Sequence, residues 1–229
     1  MKTNTILRRI SCLIALLLIA QTSTHAATVN IVHGIDGRDI GTAKALPVDI
    51  AVNGSCSLRG VNFTQSALVE LAPATYTVTV HPADGSCTQA PVITQSILIA
   101  NDGSSSYSAV ASLSRSGAPQ LVLFNNSRDL AITPAISLRH LAKAGGVSVT
   151  IRSREIGAAK TARIRNGQAT NLSVLGDRFT FSATISANQN SRALARVTGT
   201  ARRRFLIYNV VGSAKNGFTV ISESLRPQS

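Results

Sequence analysis

Apolar and polar residues alternate with a period of two along most of this chain, the repeat of half-buried β-strands rather than of helices. Val29-Asn30-Ile31-Val32-His33 opens the series, and Pro47-Val48-Asp49-Ile50-Ala51-Val52 continues it. Asn53-Gly54 follows, a pair that readily adopts positive φ in a tight turn. An apolar-bearing segment at 67–71 leads through Pro73 into Thr75-Tyr76-Thr77-Val78-Thr79-Val80, where Tyr76, Val78 and Val80 share one face. Turn residues at 82–86 end that strand, and further strands are expected at 92–100, 107–113 and 121–124. About seven short strands in about a hundred residues is the pattern of an immunoglobulin-like β-sandwich, although a small barrel would satisfy the same alternation.

The second half repeats the plan more weakly. Ile136-Ser137-Leu138-Arg139-His140 echoes 29–33, Val147-Ser148-Val149-Thr150-Ile151 echoes 48–52, and Phe179-Thr180-Phe181-Ser182-Ala183 echoes the Tyr76 strand. Arg204-Phe205-Leu206-Ile207-Tyr208 and Gly217-Phe218-Thr219-Val220-Ile221 each stand 98 residues after a first-half counterpart, at 106–110 and 119–123. A shared offset points to tandem copies of one fold. The expected class is all-β, with tandem immunoglobulin-like antiparallel β-sandwiches at 27–126 and 127–229. Their junction is expected at Asn125-Asn126-Ser127-Arg128-Asp129. The length also permits one large sandwich.

The first residues break the pattern. Lys2, Arg8 and Arg9 precede an apolar run at 10–20, and Thr24-His25-Ala26 offers small residues where a signal peptidase reads. The run is shorter than the ~20 apolar residues a membrane-spanning helix needs. Cleavage after Ala26 is expected, giving a periplasmic protein, with a secreted or peripherally surface-associated one as the alternative. No transmembrane or lipid anchor is expected. Cys56 and Cys87 are then the cysteines that reach an oxidising compartment, and a disulfide between them is expected. Closing that loop would remove denatured-state entropy worth roughly 3 to 4 kcal/mol.

The runs Val29-Asn30-Ile31-Val32-His33-Gly34, Pro47-Val48-Asp49-Ile50-Ala51-Val52-Asn53-Gly54 and Leu71-Ala72-Pro73-Ala74-Thr75-Tyr76-Thr77-Val78-Thr79-Val80 carry a family likeness. Over roughly 28–124 the chain resembles the DUF4397 domain, an extracytoplasmic bacterial domain of unknown function. The resemblance implies β-sandwich modules, often in tandem, with no activity or catalytic residue to carry over. The stretch 37–46 is enlarged relative to that family, and Ala74 stands where it usually has glycine. The second half resembles it faintly, with Gly146-Val147-Ser148 in place of Pro47-Val48-Asp49.

No motif for catalysis or for phosphate or dinucleotide binding is present. His33, His81 and His140 sit singly at strand ends and read as structural, with His33 and His140 in equivalent positions of the two copies. Gly34-Ile35-Asp36-Gly37-Arg38-Asp39-Ile40-Gly41 has two carboxylates that could face a calcium ion, but reads as a solvated loop. Glu70 and Asp49 are not placed as an acid and base pair by anything in the sequence. No catalytic residue, metal or cofactor is therefore expected, and an unfamiliar hydrolase is the minor alternative.

Charge divides the halves. The chain carries +13 overall; residues 27–126 hold four basic side chains against six acidic, and residues 127–229 hold sixteen against four. The leading expectation is a non-catalytic envelope binding or structural module, in contact with an envelope component or a protein partner. The alternative is a protein that binds an anionic lipid or polysaccharide through its basic half, with nucleic acid less favoured. Candidate anion-binding residues are Arg202, Arg203 and Arg204, expected in a turn before Phe205. Others are the pairs Arg152 with Arg154, Arg163 with Arg165, and Arg192 with Arg196, whose even spacings put each pair on one side if those segments are strands.

Overall fold

The computed structural model describes residues 26–102, 106–126, 135–154, 157, 159–173, 178–187, 193–202 and 205–225. The expected leader lies outside them, apart from Ala26. The first half contributes β1 (Ala27–His33), β2 (Val48–Val52), β3 (Ser55–Val61), β4 (Ser66–Leu71), β5 (Ala74–Pro82), β6 (Ile93–Ile99), β7 (Ser106–Leu113) and β8 (Pro119–Asn125). The second contributes β9 (Ala135–His140), β10 (Val147–Ser153), β11 (Ala159–Ile164), β12 (Gln168–Ser173), β13 (Arg178–Ser186), β14 (Ala193–Arg202), β15 (Phe205–Ser213) and β16 (Gly217–Leu225).

They form four sheets, in the orders β4-β1-β7-β8, β3-β2-β5-β6, β12-β9-β15-β16 and β11-β10-β13-β14. Each second-half strand occupies the place of the first-half strand eight numbers earlier, so the repeat extends to the whole topology. The protein is all-β, built of tandem sandwich-like sheet pairs. Two pairings differ from the expected antiparallel plan: β1 runs parallel to β7, and β9 runs parallel to β15. A parallel pair needs a crossover, and here the intervening strands of the facing sheet supply it.

Strand pairing also fixes the repeat register. Val29 pairs with Tyr107, and Ile136 pairs with Leu206, so Tyr107 and Leu206 are counterparts. The 98-residue offset matched Tyr107 with Phe205, one position away, and such a slip moves a side chain to the opposite face. Tyr107 packs in the first core, whereas Phe205 packs with Ala135 and Ile207 away from the second core.

Alternation assigns the inner faces. Val29, Ile31, Ile50, Val80, Tyr107 and Ala109 belong to the core between the first two sheets. Ile136, Leu138, Val149, Ile151, Phe181 and Ile185 belong to its counterpart in the second half. The central strands have a second buried side: every residue of β7 and of β9 is buried. Sheets β4-β1-β7-β8 and β12-β9-β15-β16 meet there through Val32, Val110, Leu141, Val211 and Ile221. Gly34 permits the close approach, because a Cβ would stand 2.8 Å from a Val211 methyl and 2.9 Å from the Ala111 carbonyl oxygen.

This middle layer is polar as well as apolar. The Glu223 carboxylate accepts from Asn30 at 2.6 Å and Ser108 at 2.8 Å in the first half, and from Asn209 at 2.5 Å in the second. The Arg139 guanidinium lies 3.7 Å from that carboxylate, donates to the Asn126 side chain and covers the Phe124 ring at 4.2 Å. Asn126, expected in a polar junction, is fully buried and also donates to Ser108. Residues 127–129 of that junction lie outside the described residues.

The segment expected as a solvated loop is used too. Asp36 is buried, caps a 3₁₀ turn at Gly37–Ile40 and pairs with Arg38 at 2.6 Å. Asp39 accepts from Ser213 and Asn216 of the second half. Its carboxylate helps dock the halves because the 37–46 stretch reaches across to the β15–β16 turn.

Candidate functional site

Among the described residues, no acid and base pair or nucleophile constellation assembles. Asp49 and Glu70 lie on different sheets. Glu70 accepts from Thr28, while Asp49 accepts backbone N–H groups of Gly60, Asp84 and Gly85 at 2.6–2.9 Å. Burial opposes the Asp49 charge, but those three donors outweigh it and hold the carboxyl below its ordinary range. Asp49 also lies beside Cys56 and Cys87, a grouping of metal-ligand residue types. The two cysteines are joined as a disulfide and Asp49 is occupied by amides, so the donor set does not suit a metal.

His33 and His140 are equivalent and structural. The Nε2–H of His33 donates to the Leu46 carbonyl at 2.8 Å, and that of His140 donates to the Gly145 carbonyl at 2.7 Å. Burial is the chief cause that holds both pKa values below 6.5, against the raising effect of those carbonyls. Protonation would place a new buried N–H on His140 Nδ1, which has no hydrogen-bond partner. A depressed folded-state pKa means that the unfolded chain takes up protons first as pH falls. The stability present above pH 6.5 is expected to decline below it, through the folded-state pKa values. Melting temperatures measured from pH 7.5 downward check this, and a His33→Gln/His140→Gln variant should show a shallower decline. His81, unlike these two, bonds to the Gln89 carbonyl and the Thr79 hydroxyl.

The basic candidates divide between two surfaces. On the outer face of β11-β10-β13-β14, pairing aligns Thr161, Thr150, Thr184 and Arg196 in one row, and Ala159, Arg152, Ser182 and Thr198 in the next. Hydroxyl pairs lie along this face: those of Thr150 and Thr161 are 3.1 Å apart, and in a further row those of Thr180 and Thr200 are 3.5 Å apart. Arg152, Arg163 and Arg196 are exposed on this face. These rows contain no carboxylate. The face is therefore a cationic, hydroxyl-rich plane over an apolar core.

Arg154 is exposed just beyond β10, and its amide bonds to the Thr180 carbonyl. The expected turn around Arg202 is corrected, because β14 extends to Arg202 and includes Thr198-Gly199-Thr200. Antiparallel pairing with β13 keeps that polar segment in the sheet. Arg192, Arg203 and Arg204 lie outside the described residues, as does the side chain of Arg202.

Arg163 and Arg165 border a second feature, a cleft of about 440 Å³ at the seam between the halves. Arg115, from the β7–β8 turn, joins them, with Gly145, Gly146 and Asn166 in the lining. Sequence reasoning missed Arg115 because it is an isolated arginine in the acidic half. Its turn closes with Ser114 N–H to the Ala118 carbonyl, and the Lys143 stem lies against Gly117. Asn166 donates to carbonyls of Leu113 and Ala142, one from each half, at 2.9 and 2.8 Å. On the far wall, Arg165 N–H donates to Gln168, while Gly167, at φ 82°, donates to the His140 carbonyl. No carboxylate pairs with Arg115, Arg163 or Arg165 among the described residues.

No protein-family model matches the chain, and no curated protein matches it in sequence. The DUF4397 resemblance therefore does not establish membership. One similar solved structure is that of a candidate cell adhesion protein from Bacteroides ovatus. It covers 90% of this chain and 99% of that one, at 8% identity and a TM-score of 0.31. So shallow a likeness carries no argument about function. Among the described residues, no helix is long and apolar enough to cross a membrane.

Proposed function

We propose that this protein is a non-catalytic, extracytoplasmic β-sandwich module of the periplasm or cell envelope, which holds an acidic polysaccharide against its second half. The carrying observation is the outer face of β11-β10-β13-β14, where exposed arginines stand among threonines and serines without a carboxylate in the paired rows. Guanidinium groups donate paired, charge-assisted bonds to sulfate, phosphate or carboxylate groups, and hydroxyls suit the remaining sugar oxygens. A polysaccharide is favoured over membrane insertion because, among the described residues, the exposed large apolar ones, Leu68, Val92 and Leu98, belong to the first half.

Export is supported by the leader pattern at 1–26 and by the disulfide, which belongs to oxidising compartments. The proposed units are 27–126, read as DUF4397-like on its quoted runs, and 127–229. The first serves as a rigid support fixed through the middle layer. Dextran sulfate is a suitable probe. Its binding to the exported protein should weaken steadily across a salt series, and Arg152→Gln/Arg196→Gln should weaken it on the order of tenfold. Absent binding, or binding unchanged in the folded variant, would remove the outer face from the reading.

A further inference from the structure

We propose that the seam cleft is a separate binding site for a phosphomonoester carried on a sugar-sized group. This goes beyond the outer-face reading, and two of its arginines, Arg115 and Arg165, are absent from that face's paired rows. Three arginines line the cleft, and among the described residues no carboxylate does. Such a concentration of positive charge favours a dianion over a single carboxylate, because each added negative charge gains from the same field without repelling a lining group. The forked donors of arginine also match the oxygens of a phosphoryl group.

Size selects more than the anion. At about 440 Å³ the cleft has the volume of small-molecule sites, so a phosphoryl group bound among the arginines leaves room for the sugar that carries it. Gly145 and Gly146 contribute backbone without side chains to that remaining space. The walls are fixed before a ligand arrives, with Asn166 bonded to both halves and His140 bonded to Gly145. Preorganisation of this kind reduces the ordering cost of binding. Since Arg115 comes from the first half and Arg163 and Arg165 from the second, the site is complete only when the halves are docked.

Calorimetric titration of the whole exported protein with glucose 6-phosphate, and cosedimentation with phosphatidic acid vesicles, test the site and separate a soluble ester from a lipid headgroup. Saturable binding to either probe, competed by inorganic phosphate and absent for glucose, is the expected result. Arg115→Gln and Arg165→Gln should each weaken it about tenfold, while the exposed first-half control Arg59→Gln should not. Both cleft variants should retain dextran sulfate binding, so failure of one site is distinguishable from failure of the other. Absence of binding to both phosphate esters, or affinity unchanged in folded Arg115→Gln and Arg165→Gln proteins, would overturn the assignment.

Discussion

Replacing Arg139 with Met should destabilise the folded protein by about 3–5 kcal/mol, the cost of leaving a buried charge without its partner. The Glu223 side chain is 3% exposed and that of Arg139 is 2% exposed, so water cannot readily take over the lost interaction. Met retains much of the arginine stem's volume, which separates loss of charge from creation of a cavity. Asn30, Ser108 and Asn209 would still donate to Glu223, but the carboxylate would lose its nearby cation, and Asn126 would lose a donor. Glu223→Gln added to Arg139→Met should recover part of the loss, because it removes the orphaned charge. Urea unfolding of the wild type, both single variants and the double variant forms a cycle that measures the coupling. An Arg139→Met cost below about 1 kcal/mol, the range of exposed ion pairs, would show that the pair does not act as a buried one.

That interaction was hidden in the sequence by the same alternation that made the strands visible. Ser137 and Arg139 occupy alternate positions of β9 and read as the solvent-facing side of an ordinary half-buried strand. Alternation identifies two faces without saying what covers the second. Val32, Val110 and Val211 carried the missing information, since their side chains pack on the face opposite each half's own core. An apolar residue on a nominally exposed face was a sign that another sheet lay against it.

The weaker strands were lost for a related reason. β3, β11, β12 and β14 lie at sheet edges, where exposed polar residues such as Ser55, Lys160 and Gln168 weaken the apolar alternation. Ala159–Ile164 includes Lys160 and Arg163, the kind of charge that discourages pairing of an open edge. The Asn53-Gly54 turn, by contrast, was legible because its chemistry is local. Asn53 and Gly54 both adopt positive φ, at 49° and 79°, between β2 and β3. The seam cleft depends on residues brought together from 115, 144–146 and 163–166, and no local spacing announces such a convergence.

Removing the disulfide by Cys56→Ser/Cys87→Ser should lower stability by roughly 3–4 kcal/mol through release of the denatured chain. The bridge joins β3 to the loop after β5 across a sequence separation of 31, with Cα atoms 5.7 Å apart. That loop has other attachments: Asp49 accepts the Asp84 and Gly85 amides, and Asp84 accepts from Ser86 and Thr88. The Ser86 amide bond is the largest cause holding the Asp84 carboxyl far below its ordinary range. These bonds should preserve the folded loop after the covalent link is gone, leaving dextran sulfate binding intact while the urea midpoint falls. The denatured ensemble should also expand, raising the dependence of unfolding free energy on urea. Reduced wild-type protein should reproduce the midpoint of the double variant, since both lack the same constraint. A loss well below about 1 kcal/mol, with equal midpoints for oxidised and reduced wild type, would mean that the 56–87 loop is already restricted in the denatured state by something other than the bridge.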